Sequence, residues 1–119
     1  MISIIKELPA NIIGFRCKGK VTAKDYESVL YPAFEKALKK SKKLTVLWQM
    51  DDSFRGFSLG AVKDDMQMGI KYFHDFRKIA FVSDEKWMNR IVSAFGFLIP
   101  GHVRTFKNKK LADAISWLE

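Results

Sequence analysis

A chain of 119 residues can build one domain with a real core but not two, and 48% hydrophobic with 29% charged residues excludes intrinsic disorder as its main state. Twenty-one basic against thirteen acidic residues give a net charge of +8, which favours anionic partners without choosing among nucleic acid, phospholipid and acidic protein. The lone Cys17 excludes an internal disulfide, and the apolar stretch from Val92 to Pro100 is far short of the roughly 20 residues a spanning helix needs, so a cytoplasmic protein is expected.

Ile2, Ile4 and Ile5 mark a first strand within Met1 to Leu8; Pro9, Ala10 and Asn11 supply turn chemistry, and Ile12 to Lys18 read as a second strand. The pair predicts a hairpin, in which Cys17 beside Phe15 reads as a small buried hydrophobe. Thr22 followed three residues later by Asp25 resembles a capping box and starts a helix. Pro32 removes a backbone donor and disfavours helical geometry at Tyr31, which predicts a short helix, a kink, and a longer helix from Pro32 to about Ser41. Ala33, Phe34, Ala37 and Leu38 supply its buried stripe.

Leu44 to Met50 alternates with period two and is expected to be a central strand. Asp51 to Phe57 form a loop, and Ser58 caps a helix to about His74 whose stripe of Leu59, Val62, Met66, Ile70 and Phe73 is expected to face the core. Lys78 to Val82 is a fourth strand. Asp84 is the expected cap of a helix carrying Trp87, Met88, Ile91, Val92, Phe95 and Leu98, ended by Pro100 and Gly101. His102 to Phe106 is a fifth strand, and Asn108 is expected to cap a last helix with Leu111, Ala112, Ile115 and Leu118 on one side.

This order predicts an α/β fold: a five-stranded mixed, mostly parallel sheet with β-α crossovers, in a single domain over residues 1–119. If the strands add sequentially, right-handed crossovers place every crossover helix on one face and leave the other without helices of its own. That second face is expected to be half polar, since Arg16 and Lys18 alternate with Phe15 and Cys17, and Thr45 and Gln49 with Val46 and Trp48.

The chain resembles the SpoIIAA-like proteins, relatives by fold of STAS domains and of CRAL-TRIO lipid-binding proteins. The residues that carry this are Gly19 through Asp25 and Tyr26, Pro32 with Leu38, the strand ending Trp48-Gln49-Met50-Asp51, and Phe54, Gly56 and Phe57. Further along come Asp64 and Asp65, the run Phe76 to Asp84 with Trp87, then Val103, Arg104 and Phe106, and the closing Ala114 to Leu118. The resemblance implies a binding or regulatory module without catalytic machinery, similar to lipophile-binding proteins that associate peripherally with membranes. STAS antagonists carry a phosphorylatable serine at the start of the helix after the third strand; here Ser53 and Ser58 occupy that region, but Phe54 to Phe57 interrupt the motif.

No nucleophile and base, metal cluster or glycine-rich phosphate loop is readable, so no catalytic residue, metal site or cofactor is expected. Asp51 and Asp52 read as loop solvation, and Asp64 and Asp65 as a solvated helix face. Lys36, Lys39, Lys40, Lys42 and Lys43 complement a helix C-terminus, whereas Lys107, Lys109 and Lys110 oppose the dipole of the last helix unless an anion compensates. Nucleic acid is not favoured, because no recognition helix or aromatic-basic sheet motif can be named.

The most unusual stretch runs from Ile91 to Pro100, where Phe95, Phe97, Leu98 and Ile99 cannot all face inward. The first expectation is therefore a binding module for a lipophilic small molecule or an anionic membrane surface, with Phe54, Phe57, Trp87, Ile91, Phe95, Phe97 and Leu98 as apolar contacts. The second is a regulatory module whose loop from Asp51 to Gly60 docks on a protein partner, gated by phosphorylation at Ser58 or Ser53. A homodimer through the bare sheet face or an exposed helix fits either.

Overall fold

A computed structural model describes all 119 residues. The hairpin forms as expected, with β1 (Ile2–Ile5) antiparallel to β2 (Ile13–Cys17). After β3 (Lys20–Val21), the Thr22 N–H donates to the Asp25 Oδ2 at 2.8 Å and opens α1 (Ala23–Asp25). The break expected before Pro32 does not occur: Tyr31 is itself helical, with φ −60° and ψ −48°, and a π-helical segment (Tyr26–Leu30) joins α1 without interruption to α2 (Tyr31–Leu38), which ends before Ser41. An ideal α-helix would push the proline ring into the carbonyl four residues back; the wider turn, closed by the Tyr31 N–H on the Tyr26 carbonyl, makes room for it.

There follow β4 (Leu44–Met50), β5 (Gly56–Phe57), α3 (Leu59–Lys71), β6 (Phe76–Val82), α4 (Lys86–Gly96), β7 (His102–Phe106), a 3-10 turn (Asn108–Lys110) and α5 (Leu111–Leu118). The main sheet has the order β1-β2-β4-β6-β7, with β2, β4, β6 and β7 parallel, and β3 and β5 form a small parallel ribbon beside it. All seven residues of β4 are buried, as befits the central strand. Phe15, Val46, Trp48, Met50 and Phe81 pack on the crossover helices through Phe34, Ala61, Met68 and Met88. Phe34 is the hub of that layer, edge-on to Phe15 at 5.6 Å, Tyr72 at 5.1 Å and Phe76 at 5.9 Å.

The opposite face is not bare. Leu47, Ala80 and Val82 pack there against Ala114 and Leu118 of α5, so the C-terminal helix occupies the face that the crossovers leave free. Its half-polar character is as expected: the Arg16 Nε donates to the Gln49 Oε1 at 3.0 Å, and the Arg77 Nε to the Thr45 Oγ1 at 3.0 Å. A register shift between Leu44 and Thr45 gives β6 an extra residue. Arg77 and Lys78 then both reach the C-terminus of α5, at the Leu118 and Trp117 carbonyls. With that face covered, a dimer through it loses its basis.

Three further expectations need correction. On α3 the predicted stripe points outward: Leu59, Met66 and Ile70 are 90%, 65% and 78% exposed, and Ala61, Met68 and the following Tyr72 are buried instead. The inward face is chosen by close approach and hydrogen bonding rather than by hydrophobicity. A Cβ on Gly60 would stand 3.1 Å from that of Ala23, and the hydroxyls of Tyr26 and Tyr31 reach the Asp65 carboxylate and the Asp64 carbonyl, both at 2.8 Å. Asp84 does not cap α4, whose N-cap is Glu85 with no side-chain bond; its carboxylate accepts from the Asn108 N–H at 2.9 Å. Asn108 caps no helix either. It ties three segments together, donating to the Met50 carbonyl and accepting from Gln49, both at 2.8 Å, besides meeting Asp84.

Candidate ligand pocket

α3 packs on α1, and α4 on β7, where a Cβ on Gly96 would stand only 2.9 Å from that of Val103. Each helix is thus drawn to its own side, and a hollow of about 390 Å³ is left between them. Trp48, Met50 and Phe81 of the sheet line it, with Phe57 from β5. Val62 and Asp65 of α3 form one wall, and Trp87, Met88, Ile91 and Val92 of α4 the other. Nine of these ten residues are hydrophobic, and the volume is in the range that takes a small organic molecule.

Asp65 is the one polar lining residue, and the Tyr26 hydroxyl donates to its Oδ1. It keeps solvent contact, because the wall it stands on faces an open hollow, yet the core crowds it from behind. That desolvation lifts its pKa above the usual aspartate value, and the bond from Tyr26 offsets only part of the rise. Fully buried Tyr26, desolvated beside a carboxylate, stays protonated far above its ordinary range and serves as a fixed donor. The Trp48 indole N–H is buried with no oxygen or nitrogen acceptor, next to the sulfur of Cys17. Burial pushes the Cys17 thiol up to about 12, so it is no nucleophile at neutral pH.

Of the seven apolar contacts expected from the sequence, the structure gathers Phe57, Trp87 and Ile91 around the hollow. Phe54 stands behind Phe57, ring centroids 5.1 Å apart, and packs on the core. Phe95, Phe97 and Leu98 do not line the hollow; they lie exposed at the end of α4 and just beyond it. With Leu59, Met66 and Ile70 they leave both helices with uncovered apolar side chains. Ser58 caps α3, its Oγ accepting from the Ala61 N–H at 3.1 Å, whereas exposed Ser53 donates its hydroxyl to Asp51 at 2.7 Å.

Asp65 is exposed, as expected for a solvated helix face, but the sequence does not show that this face borders the hollow. The signal for Asp65 is the helical spacing: residues 61, 65, 68 and 72 fall on one face, which sets an aspartate beside the buried Ala61, Met68 and Tyr72. Trp48, Met50 and Phe81 were legible as inward residues of central strands, but nothing local marks the gap above them.

A protein-family model described as SpoIIAA-like matches residues 12–119. The chain belongs to the SpoIIAA-like family. Among solved structures it is similar to an uncharacterised DUF3478-family protein with a SpoIIAA-like fold from Shewanella loihica PV-4. The identity is 28% and the TM-score 0.78, over 99% of this chain and 94% of that one. No curated protein matches the chain. The SpoIIAA-like assignment places it with STAS-like modules, which are generally not enzymes. No helix is long and apolar enough to cross a membrane.

Proposed function

We propose that this SpoIIAA-like domain is a non-catalytic binding module that takes a lipophilic small molecule between α3 and α4. The observation that supports this best is the hollow itself, with nine hydrophobic residues among its ten and an uncovered apolar surface on both helices beside it. Lys63, Lys86 and Arg90 lie exposed on the same helices and would add electrostatic attraction to an anionic lipid surface from which such a ligand could be taken up.

Nile red, a neutral lipophilic dye, provides the test. The wild-type protein is expected to bind it saturably at one site. Val62→Trp, which fills the hollow from a position already 44% exposed, is expected to lose that site while its Tm stays within a few degrees. Absence of saturable binding in the wild type, or equal binding by the variant, would overturn the reading. A regulatory reading draws on Ser58: a phosphate at the N-cap of a 13-residue helix would be stabilised by its dipole. Intact-mass analysis of protein from its native host decides whether that modification exists.

A further inference from the structure

We infer that Asp65, backed by Tyr26, is the polar anchor of the hollow, and that the occupant is an ammonium group carrying an apolar tail. The inference rests on the pocket reading above and names the chemistry of its ligand. Asp65 is the single polar group on an apolar lining, and Tyr26 engages only Oδ1; no protein donor reaches Oδ2. No cation of the chain compensates it either. The ion pairs of the protein lie at Asp25, Glu35 and Asp113, although 21 lysines and arginines are available. A carboxylate set on an apolar lining without a counter-ion is a place for an external one, since a charge-assisted hydrogen bond is shorter and stronger than a neutral one. Trp48, Phe57, Phe81 and Trp87 line the same space and suit a cation as well as a hydrocarbon tail. A tailed carboxylate or phosphate would meet Asp65 as a like charge.

The overall charge makes the test discriminating. At +8, long-range attraction favours anions, so a preference for a cation can only come from the pocket. Octylamine, octanol and octanoate share one tail and differ in the head; each is titrated at pH 7 against Nile red bound to the full chain. Octylamine is expected to displace the dye at about tenfold lower concentration than octanol, with octanoate the weakest. Asp65→Asn keeps the shape and an acceptor for Tyr26; it should weaken octylamine more than octanol and bring the two to within about twofold of each other. Octanoate matching octylamine, an amine preference that survives Asp65→Asn, or no displacement by any of the three overturns the anchor and leaves the pocket standing. Failure of Nile red itself to bind overturns the pocket reading. Should Asp65→Asn not fold, Tyr26→Phe retains the carboxylate and should keep the order amine, alcohol, acid; loss of that order would also overturn the anchor.

Discussion

On one face of the sheet, α5 lies over Leu47, Ala80 and Val82, and Arg77 and Lys78 bind the carbonyls at its end. On the other, α3 and α4 stand apart over Trp48, Met50 and Phe81 and turn Leu59, Ile70 and Phe95 outward. The first face satisfies its polar groups within the chain, down to the Arg16, Gln49 and Asn108 relay. The second leaves an indole N–H with only the Cys17 sulfur beside it and a carboxylate without a cation. The difference teaches that a hydrophobic stripe alone does not decide which way a helix faces. Close packing and hydrogen bonds decided it for α3, and the space they left is where a ligand fits.

The largest expected effect separates the two faces directly. Leu118→Ala removes a fully buried side chain from beneath α5 and should cost about 2–5 kcal/mol by urea denaturation. Ile70→Ser, on the stripe that sequence periodicity assigns to the core, should change stability by no more than about 0.5 kcal/mol because the residue is 78% exposed. Comparable losses at the two positions would mean that the stripe on α3 is covered, and the contrast between the faces would fail.

Much of this molecule is legible in its residues, and the parts that are not share a cause. Period-two alternation at Leu44 to Met50, turn chemistry at Pro9 to Asn11 and the cap at Ser58 are local signals, and each element forms as expected. The path of α5 is not local: handedness fixes the crossover face, but nothing in Leu111 to Leu118 says that they return over Leu47. The orientation of α3 is not local either, because it depends on tyrosines more than thirty residues earlier. Trp87 and Ile91 were readable as excess hydrophobicity, whereas Asp65 acquires its meaning only once the hollow exists around it.

A smaller effect tests how tightly the closed side is tied. Asn108→Ala removes the side chain that joins the end of β4 to Asp84 and strands Gln49, which is 7% exposed, without its acceptor. The expected cost is about 1–3 kcal/mol in urea, set by the unpaired amide and carbonyl rather than by lost packing. A change near zero would show that water replaces those bonds freely and that the closed face is less sealed than its geometry indicates.

The smallest effect lies on the open side and is read from its pH dependence. The pKa of Asp65 is raised on folding above the value of about 3.9 in an unfolded chain. Between those two values the native state holds more protons than the unfolded one, so this group makes stability fall as pH rises through the window. Below the unfolded value it imposes no penalty; above the folded value the whole penalty is present. Asp65→Asn removes that dependence, so the Tm of the variant minus that of the wild type should rise from acid toward neutral pH and then level off. Asp25 and Glu35, whose pKa values are lowered, tilt stability the opposite way, but both proteins carry them and they cancel in the difference. Tyr26, the donor facing the carboxylate, stays protonated throughout and contributes no slope. A difference that stays flat would show that water reaches Asp65 as freely as it does in the unfolded chain. A rise that shrinks when octylamine is added would show the external cation supplying what the fold withholds.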